Sequence, residues 1–188
     1  GLDAVGRNRQ ARQLCHVRGF LRGEWMGFRH AQASVTVRVA VPLRCASMGK
    51  DRFDGPVIGV DLGGTNMAIG VVDEKGRILG RCKRKTKALE GRDKVISRLV
   101  EGIERACGEA KLSLKDIAAV GVGAPSAVDW DKGLVIHAGN LGWKRVPLRD
   151  ILAKKLDRPV VVDNDVNVAA FGESRVGAGK GRGDLMAV

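Results

Sequence analysis

Three short segments follow one another closely in the middle of the chain, and they constrain the fold more than any other feature. Residues 57–62 and 67–72 are apolar runs joined by a glycine-containing turn, and a polar turn leads from the second run to residues 77–85. Runs of this length, bounded by turn residues, are typical of β-strands, and short turns favour antiparallel neighbours. We therefore expect the folded part of the chain to open with three antiparallel strands.

Helical and strand-like segments alternate after these strands. Apolar residues at spacings of three and four predict an amphipathic helix over residues 95–107. The segments that follow are a strand at 117–122, a helix from Pro147, a strand at 160–163 and a helix from Asp165. This order predicts an α/β domain with a mixed sheet that helices cover on both faces.

The composition is that of a globular protein. The 188 residues are 44% hydrophobic and 29% charged, which is enough for one domain with a proper core. No apolar run approaches the about 20 residues that a membrane-spanning helix needs, so we expect no membrane partner and predict a cytoplasmic location. The cysteines form no Cys-x-x-Cys pair, which predicts neither a zinc site nor a disulfide framework. They are Cys15, Cys45, Cys82 and Cys107.

Half of the basic excess lies near the N-terminus. The net charge is +12, and residues 1–47 contribute half of it, with eight Arg against Asp3 and Glu24. We expect this Arg-rich leader to be disordered, or to be upstream sequence translated before a natural start at Met48, with an organelle transit peptide as the other interpretation. The remaining residues mix their charges, so nucleic-acid binding is not expected.

A glycine turn lies between the first two predicted strands, directly after Asp61. Gly63 and Gly64 allow the backbone to turn sharply and to approach a ligand closely. Amide groups exposed in such a turn can face an anion, and Thr65 and Asn66 add side-chain donors. Asp61 could hold Mg²⁺ through water, because Mg²⁺ gives up its hydration reluctantly. Taken alone, this turn fits a phosphate loop and a plain hairpin about equally.

Two further motifs follow this turn. One is Gly-Val-Gly-Ala-Pro-Ser-Ala-Val-Asp at residues 121–129, with Asn-Leu-Gly-Trp after it at 140–143. The other is Val-Asp-Asn-Asp-Val-Asn-Val-Ala-Ala-Phe-Gly-Glu at 162–173. Together with the turn, and in this order and spacing, these motifs resemble the ROK family of sugar kinases, and within it the bacterial glucokinases. The resemblance covers about residues 56–188.

The resemblance implies an actin-like ATPase fold, which is ribonuclease H-like, with two lobes and with the sugar and ATP between them. Residues 48–183 would be the N-terminal lobe, and residues 184–188 would begin a second lobe that is otherwise missing. The family's second phosphate loop, its sugar-binding Gly-His motif and its cysteine-rich zinc site would lie beyond Val188. The chain would then hold one half of the cleft.

Carried over residue by residue, the resemblance also assigns roles within the motifs. Asp165 would be the catalytic base that takes the proton of the sugar hydroxyl as this hydroxyl attacks the γ-phosphate of ATP. Asn140 and Asn164 would bind sugar hydroxyls, together with Asp165. The first phosphate loop would comprise Gly63, Gly64, Thr65 and Asn66, with Mg²⁺ associated with Asp61.

Four positions in these motifs leave alternatives open. Placing Asp165 at a helix start is expected to favour the ionised form that a base requires, and a plain N-cap is the alternative for this residue. Asn167 is expected to support the loop structurally. Ser126 and Gly139 stand where the family usually has Gly and Pro, which leaves the sugar preference open.

The predicted reaction is ATP- and Mg²⁺-dependent phosphorylation of a hexose, with glucose converted to glucose 6-phosphate. The chain alone is expected to be inactive, because half of the cleft would be missing. A sugar-responsive transcriptional repressor of the same family and a non-functional gene fragment are the alternatives, and a homodimer is open for a full-length form. The glycine-rich segment at 177–183 lacks the Ser or Thr that follows the Lys of a Walker loop, so it is predicted to link the lobes.

Overall fold

The computed structural model describes residues 55–177, 179 and 180. The predicted leader at 1–47 and the predicted start of a second lobe at 184–188 lie outside the described residues. Short 3₁₀ turns occur at Ala88–Glu90, Leu114–Asp116 and Gly139–Leu141. The strands and helices are β1 (Val57–Leu62), β2 (Asn66–Val72), β3 (Ile78–Lys85), α1 (Arg92–Glu109), β4 (Ala119–Ala124), β5 (Ala127–Asp129), β6 (Leu134–Ala138), β7 (Trp143–Val146), α2 (Leu148–Leu156), β8 (Val160–Asn164) and α3 (Asp165–Val176).

A five-stranded mixed sheet forms the centre of the domain, with the strand order β3-β2-β1-β4-β8. The strands β1, β2 and β3 are antiparallel neighbours, whereas β4 runs parallel to both β1 and β8. The predictions of three opening antiparallel strands and of a mixed sheet are confirmed. The strand β4 begins at Ala119 rather than at residue 117, because Ile117 ends a 3₁₀ turn that Ser113 and Asp116 cap.

The helices α1 and α2 cover one face of this sheet. The predicted apolar stripe of α1 is buried, and α2 places Leu148, Leu152 and Leu156 in the same core. On the sheet, Ile58 and Val60 are fully buried in this core. Removal of these apolar side chains from water is the main favourable contribution to folding.

Two glycines let α1 approach the sheet closely. A Cβ atom on Gly102 of α1 would lie 2.5 Å from Cδ1 of Ile69, and one on Gly80 of β3 would lie 2.3 Å from the carbonyl oxygen of Ala106. Both distances are far below a normal van der Waals contact. The spacing between α1 and the sheet therefore depends on the absence of side chains at these positions.

The helix α3 begins against the opposite face. Successive side chains of a strand point to opposite faces, so Gly123 of β4 faces away from α1. A Cβ atom on Gly123 would lie 3.4 Å from Cα of Asp165, the first residue of α3. The prediction of helices on both faces is confirmed, and the start of α3 lies against Gly123.

A smaller antiparallel sheet has the strand order β5-β6-β7. The sequence pattern predicted no strands between residues 124 and 146, because strands of three to five residues are too short to show a clear alternation. Val135, Trp143 and Val146 of this sheet are buried in the main core. The turn between β6 and β7 is the 3₁₀ turn that carries Asn140.

Candidate active site

The carboxyl ends of the parallel strands β1, β4 and β8 meet at one edge of the main sheet. Asp61 of β1 pairs with Gly123 of β4, and Gly123 pairs in turn with Asp163 of β8. The glycine turn after β1, the loop after β4 and the start of α3 therefore lie side by side. In open α/β sheets, ligands bind in the crevice at this end of the strands.

The glycine turn is held by hydrogen bonds that leave two of its amides available. The amide of Gly63 donates to the Asn66 carbonyl at 3.0 Å. The Gly63 carbonyl accepts from the Thr86 hydroxyl at 2.6 Å, and the Thr65 carbonyl accepts from the Thr86 amide at 2.9 Å. Within the described residues, the amides of Gly64 and Thr65 donate to no acceptor. Such free amides in a tight turn can receive an anion.

The side chain of Asn140 lies directly on this turn. A Cβ atom on Gly64 would lie 2.9 Å from Cβ of Asn140 and 3.1 Å from its Nδ2 atom. Only glycine fits at that position without displacing the amide group. Asn140 is exposed, so its amide remains accessible to a polar ligand beside the turn. The structure thus brings together a residue predicted to bind sugar and a residue predicted to bind phosphate.

Asn164 is the N-cap of α3 and is also hydrogen-bonded to its neighbours. Its Oδ1 atom accepts from the Asn167 amide at 3.0 Å, and its Nδ2 atom donates to the Ser126 carbonyl at 2.8 Å and to Oδ1 of Asp165 at 3.0 Å. The N-cap alternative for Asp165 is therefore wrong, because Asp165 is already the first helical residue. Both amide protons of Asn164 are occupied, and one lone pair of its oxygen remains for a ligand hydroxyl.

Asn167 supports this arrangement from inside α3. Besides its backbone bond to Asn164, its side-chain amide donates to Oδ1 of Asp163 at 3.3 Å. The same Asp163 oxygen accepts a hydrogen bond from the backbone amide of Asn164 at 2.7 Å. The expectation of a structural role for Asn167 is confirmed.

Burial raises the pKa of the Asp165 carboxyl above its ordinary value of 3.8. Hydrogen bonds from the Val166 amide, at 2.9 Å, and from Asn164 lower this pKa but do not outweigh the burial. The expectation that the helix start favours the ionised form is therefore wrong in its net direction, because loss of water around the carboxylate dominates. A raised pKa makes a carboxylate a stronger proton acceptor once it is ionised.

Ser126 adopts the left-handed conformation in the loop after β4, with φ of 70°. This region favours glycine, and a residue with a side chain costs about 1 kcal/mol there. The Ser126 carbonyl accepts a hydrogen bond from Nδ2 of Asn164. The strained residue therefore contacts the side chain that is hydrogen-bonded to Asp165. Gly139, the other departure from the family pattern, is the first residue of the 3₁₀ turn that carries Asn140.

Thr86 and the carbonyl of Ser126 hold this site, although neither was predicted to do so. Thr86 is the residue after β3, and it lies opposite Thr65 in the register of β2 with β3. A polar residue opposite a functional turn in a predicted hairpin is the signal that could have identified it. The contact of Ser126 with Asn164 joins residues 38 positions apart, and no local pattern predicts such a contact.

No group of three or more His, Cys, Asp or Glu side chains within the described ranges could hold a metal ion. Asp61 lies near the end of β1 and is exposed. One carboxylate fits Mg²⁺, which keeps several of its waters and takes its other ligands from substrate phosphates.

In the part of the chain that the structure describes, no helix is both long and apolar enough to cross a membrane.

Comparison with known proteins matches this chain to one family. The model of the ROK family matches residues 57–188. The glucokinase of Thermotoga maritima is 39% identical over 134 residues, which are 70% of this chain and 40% of that protein. The xylose repressor of Caldicellulosiruptor bescii is 33% identical over 123 residues, which are 65% of this chain and 31% of that protein.

A solved structure agrees with these matches. The crystal structure of a ROK family glucokinase from Streptomyces griseus, in complex with glucose and AMPPNP, superposes with a TM-score of 0.61 and 40% sequence identity. The superposition covers 68% of this chain and 38% of that one. The chain thus spans about 40% of the length of the glucokinases that it matches.

Proposed function

Because the chain belongs to the ROK family and has its actin-like ATPase fold, we propose that it forms the N-terminal half of an ATP-dependent hexose kinase with glucose as its sugar. One observation carries the proposal: the side chain of Asn140 lies on Gly64 of the glycine turn, at the sheet edge where α3 begins with Asp165. A sugar hydroxyl and a phosphate bound to these groups would be neighbours, as phosphoryl transfer requires.

In this proposal Asp165 takes the proton of the attacking sugar hydroxyl. The hydroxyl oxygen forms a bond to the γ-phosphorus of ATP, the bond from that phosphorus to the β-phosphate oxygen breaks, and ADP leaves. The hydrogen bonds that other residues give to the Asp165 side chain both go to Oδ1, from Asn164 and Val166. We therefore assign Oδ2 as the atom that accepts the proton of the sugar hydroxyl.

The remaining groups bind and orient the reactants. The amides of Gly64 and Thr65 would receive phosphate oxygens, and the exposed amide of Asn140 would bind a sugar hydroxyl beside them. Asn164 would use its remaining lone pair on the sugar while holding Asp165. Mg²⁺, associated with Asp61 through water, would neutralise charge on the phosphates when bound.

A chimeric enzyme tests the proposal. The 134 matching residues of the Thermotoga maritima glucokinase are replaced by those of this chain, and the native glucokinase serves as the control. We expect glucose-dependent conversion of ATP to ADP, with a higher kcat/KM for glucose than for mannose, fructose, N-acetylglucosamine or xylose. A folded chimera that binds glucose without phosphorylating it would contradict the kinase proposal and favour the repressor alternative, for which the match to the xylose repressor is the supporting observation.

A further inference from the structure

Thr86 is a fully buried polar residue at the inner side of the glycine turn. Its exposed fraction is 0%, and it belongs to none of the motifs that define the candidate site. It makes two hydrogen bonds to the turn, one through its hydroxyl and one through its amide. A buried hydroxyl without a partner would be costly, so both the residue and the turn gain from this pairing.

The two bonds determine which way the turn presents its polar groups. The Thr86 hydroxyl holds the Gly63 carbonyl at 2.6 Å, so this oxygen points into the protein. A peptide unit is planar and trans, and the N–H of Gly64 therefore points away from Thr86. The bond of the Thr86 amide to the Thr65 carbonyl, at 2.9 Å, fixes the other side of the turn.

The peptide between Gly63 and Gly64 would otherwise have freedom to rotate. Glycine accepts backbone conformations on both sides of the Ramachandran map, so two adjacent glycines allow a peptide flip at little steric cost. A flipped peptide would direct the Gly63 carbonyl, a partial negative charge, toward a bound anion. The Thr86 hydroxyl opposes the flip because the Gly63 carbonyl would lose its donor and the buried hydroxyl its acceptor.

We propose that Thr86 is a positioning residue that sets the orientation of the Gly63–Gly64 peptide and so presents the Gly64 amide to a phosphate group. The inference rests on the proposed function, since it assigns to Thr86 the control of the proposed phosphate loop. Thr86 itself touches no ligand in this account. It acts through the backbone of the turn.

The test compares two substitutions at Thr86 in the 188-residue chain, with inorganic phosphate as the probe. Thr86→Val keeps the shape and removes the hydroxyl, whereas Thr86→Ser keeps the hydroxyl and removes a methyl group. Amide NMR shifts of Gly64 are followed at constant ionic strength. We expect Thr86→Val to weaken the apparent affinity at least about tenfold and Thr86→Ser to stay within about threefold of the wild-type chain.

A matched control removes a hydroxyl of the same bonding type elsewhere. Ser174 donates to the Phe171 carbonyl at 2.7 Å within α3, and Ser174→Ala should leave phosphate binding unchanged. A folded Thr86→Val chain with an affinity within about threefold of the wild type would overturn the inference. So would an equal loss of affinity in Thr86→Ser, because the hydroxyl would then not be the cause.

A second measurement tests the hydrogen bond of the Thr86 hydroxyl even if Thr86→Val does not fold. In the wild-type chain, the hydroxyl proton of Thr86 should exchange slowly with water, in contrast to that of the exposed Thr65. Equally fast exchange of the two hydroxyl protons would overturn the inference. Failure of phosphate to shift Gly64 in the wild-type chain would instead count against the proposed function, and the exchange measurement would still report on Thr86.

Discussion

Asp165 is a carboxylate on which two opposing effects act. Its position at the start of α3 and its hydrogen bonds favour the ionised form, whereas burial favours the protonated form and determines the net direction of the pKa shift. The sequence predicted the residue and its place on a helix. It could not predict the burial, because this depends on Gly123 and on the loop after β4, which are distant in the chain.

The raised pKa of Asp165 predicts how the stability of the folded chain depends on pH. The folded-state pKa of Asp165 lies above the unfolded value of about 3.8, so ionisation of Asp165 lowers the free energy of unfolding. This loss is complete at pH values above the folded-state pKa. It vanishes as the pH falls below the unfolded value. Asp165→Asn keeps the oxygen that accepts from Val166 and cannot ionise. We expect this variant to be more stable than the wild type at pH 7, with the gain shrinking as the pH falls through the folded-state pKa and disappearing below about pH 3.8.

Urea unfolding at several pH values measures this effect, and Asp93→Asn is its control. Asp93 also lies in the first turn of a helix, but its side chain is 84% exposed. Its replacement should change stability by no more than about 0.5 kcal/mol. A less stable Asp165→Asn variant at pH 7, or a gain that persists at low pH, would show that burial does not dominate at Asp165.

At the scale of the elements, long and periodic segments were predicted well and short ones were not. The apolar stripe of α1 and the runs of β1 and β2 identified these elements, because each extends over at least six residues. The sheet of β5, β6 and β7 was missed, although its turn carries Asn140. Its side chains Val135, Trp143 and Val146 are buried in the main core, and such tertiary packing is not visible in a short sequence pattern.

The close contact between α1 and the sheet gives a prediction at this scale. Gly102→Ala places a methyl group 2.5 Å from Cδ1 of the fully buried Ile69, so the packing must move. Gly108→Ala in the same helix meets nothing within 4 Å and gains helix propensity. We expect a loss of about 1–3 kcal/mol for Gly102→Ala and a gain of about 0.5–1 kcal/mol for Gly108→Ala.

The two variants control for each other, because both change a glycine to alanine in one helix. Chemical denaturation of each chain gives the free energy of unfolding directly. Equal effects of the two substitutions would mean that the spacing between α1 and the sheet does not depend on Gly102.

At the scale of the whole molecule, the main sheet and the smaller sheet share one hydrophobic core. The chain spans about 40% of the length of the glucokinases that it matches. The glycine turn and the start of α3 lie at one edge of the main sheet, and the turn that carries Asn140, between β6 and β7, lies beside Gly64. The sequence motifs come together there because parallel strands bring their carboxyl ends to the same edge.

The effect of Asp165 on turnover tests the central claim most directly. In the chimera with the Thermotoga maritima glucokinase, Asp165→Asn is compared with Asp157→Asn, an exposed residue after α2 whose left-handed conformation Asn accepts. We predict that Asp165→Asn lowers kcat at least about 100-fold while glucose binding is largely retained, and that Asp157→Asn leaves both unchanged. A kcat for Asp165→Asn within about threefold of the unsubstituted chimera would contradict the assignment of Asp165 as the base.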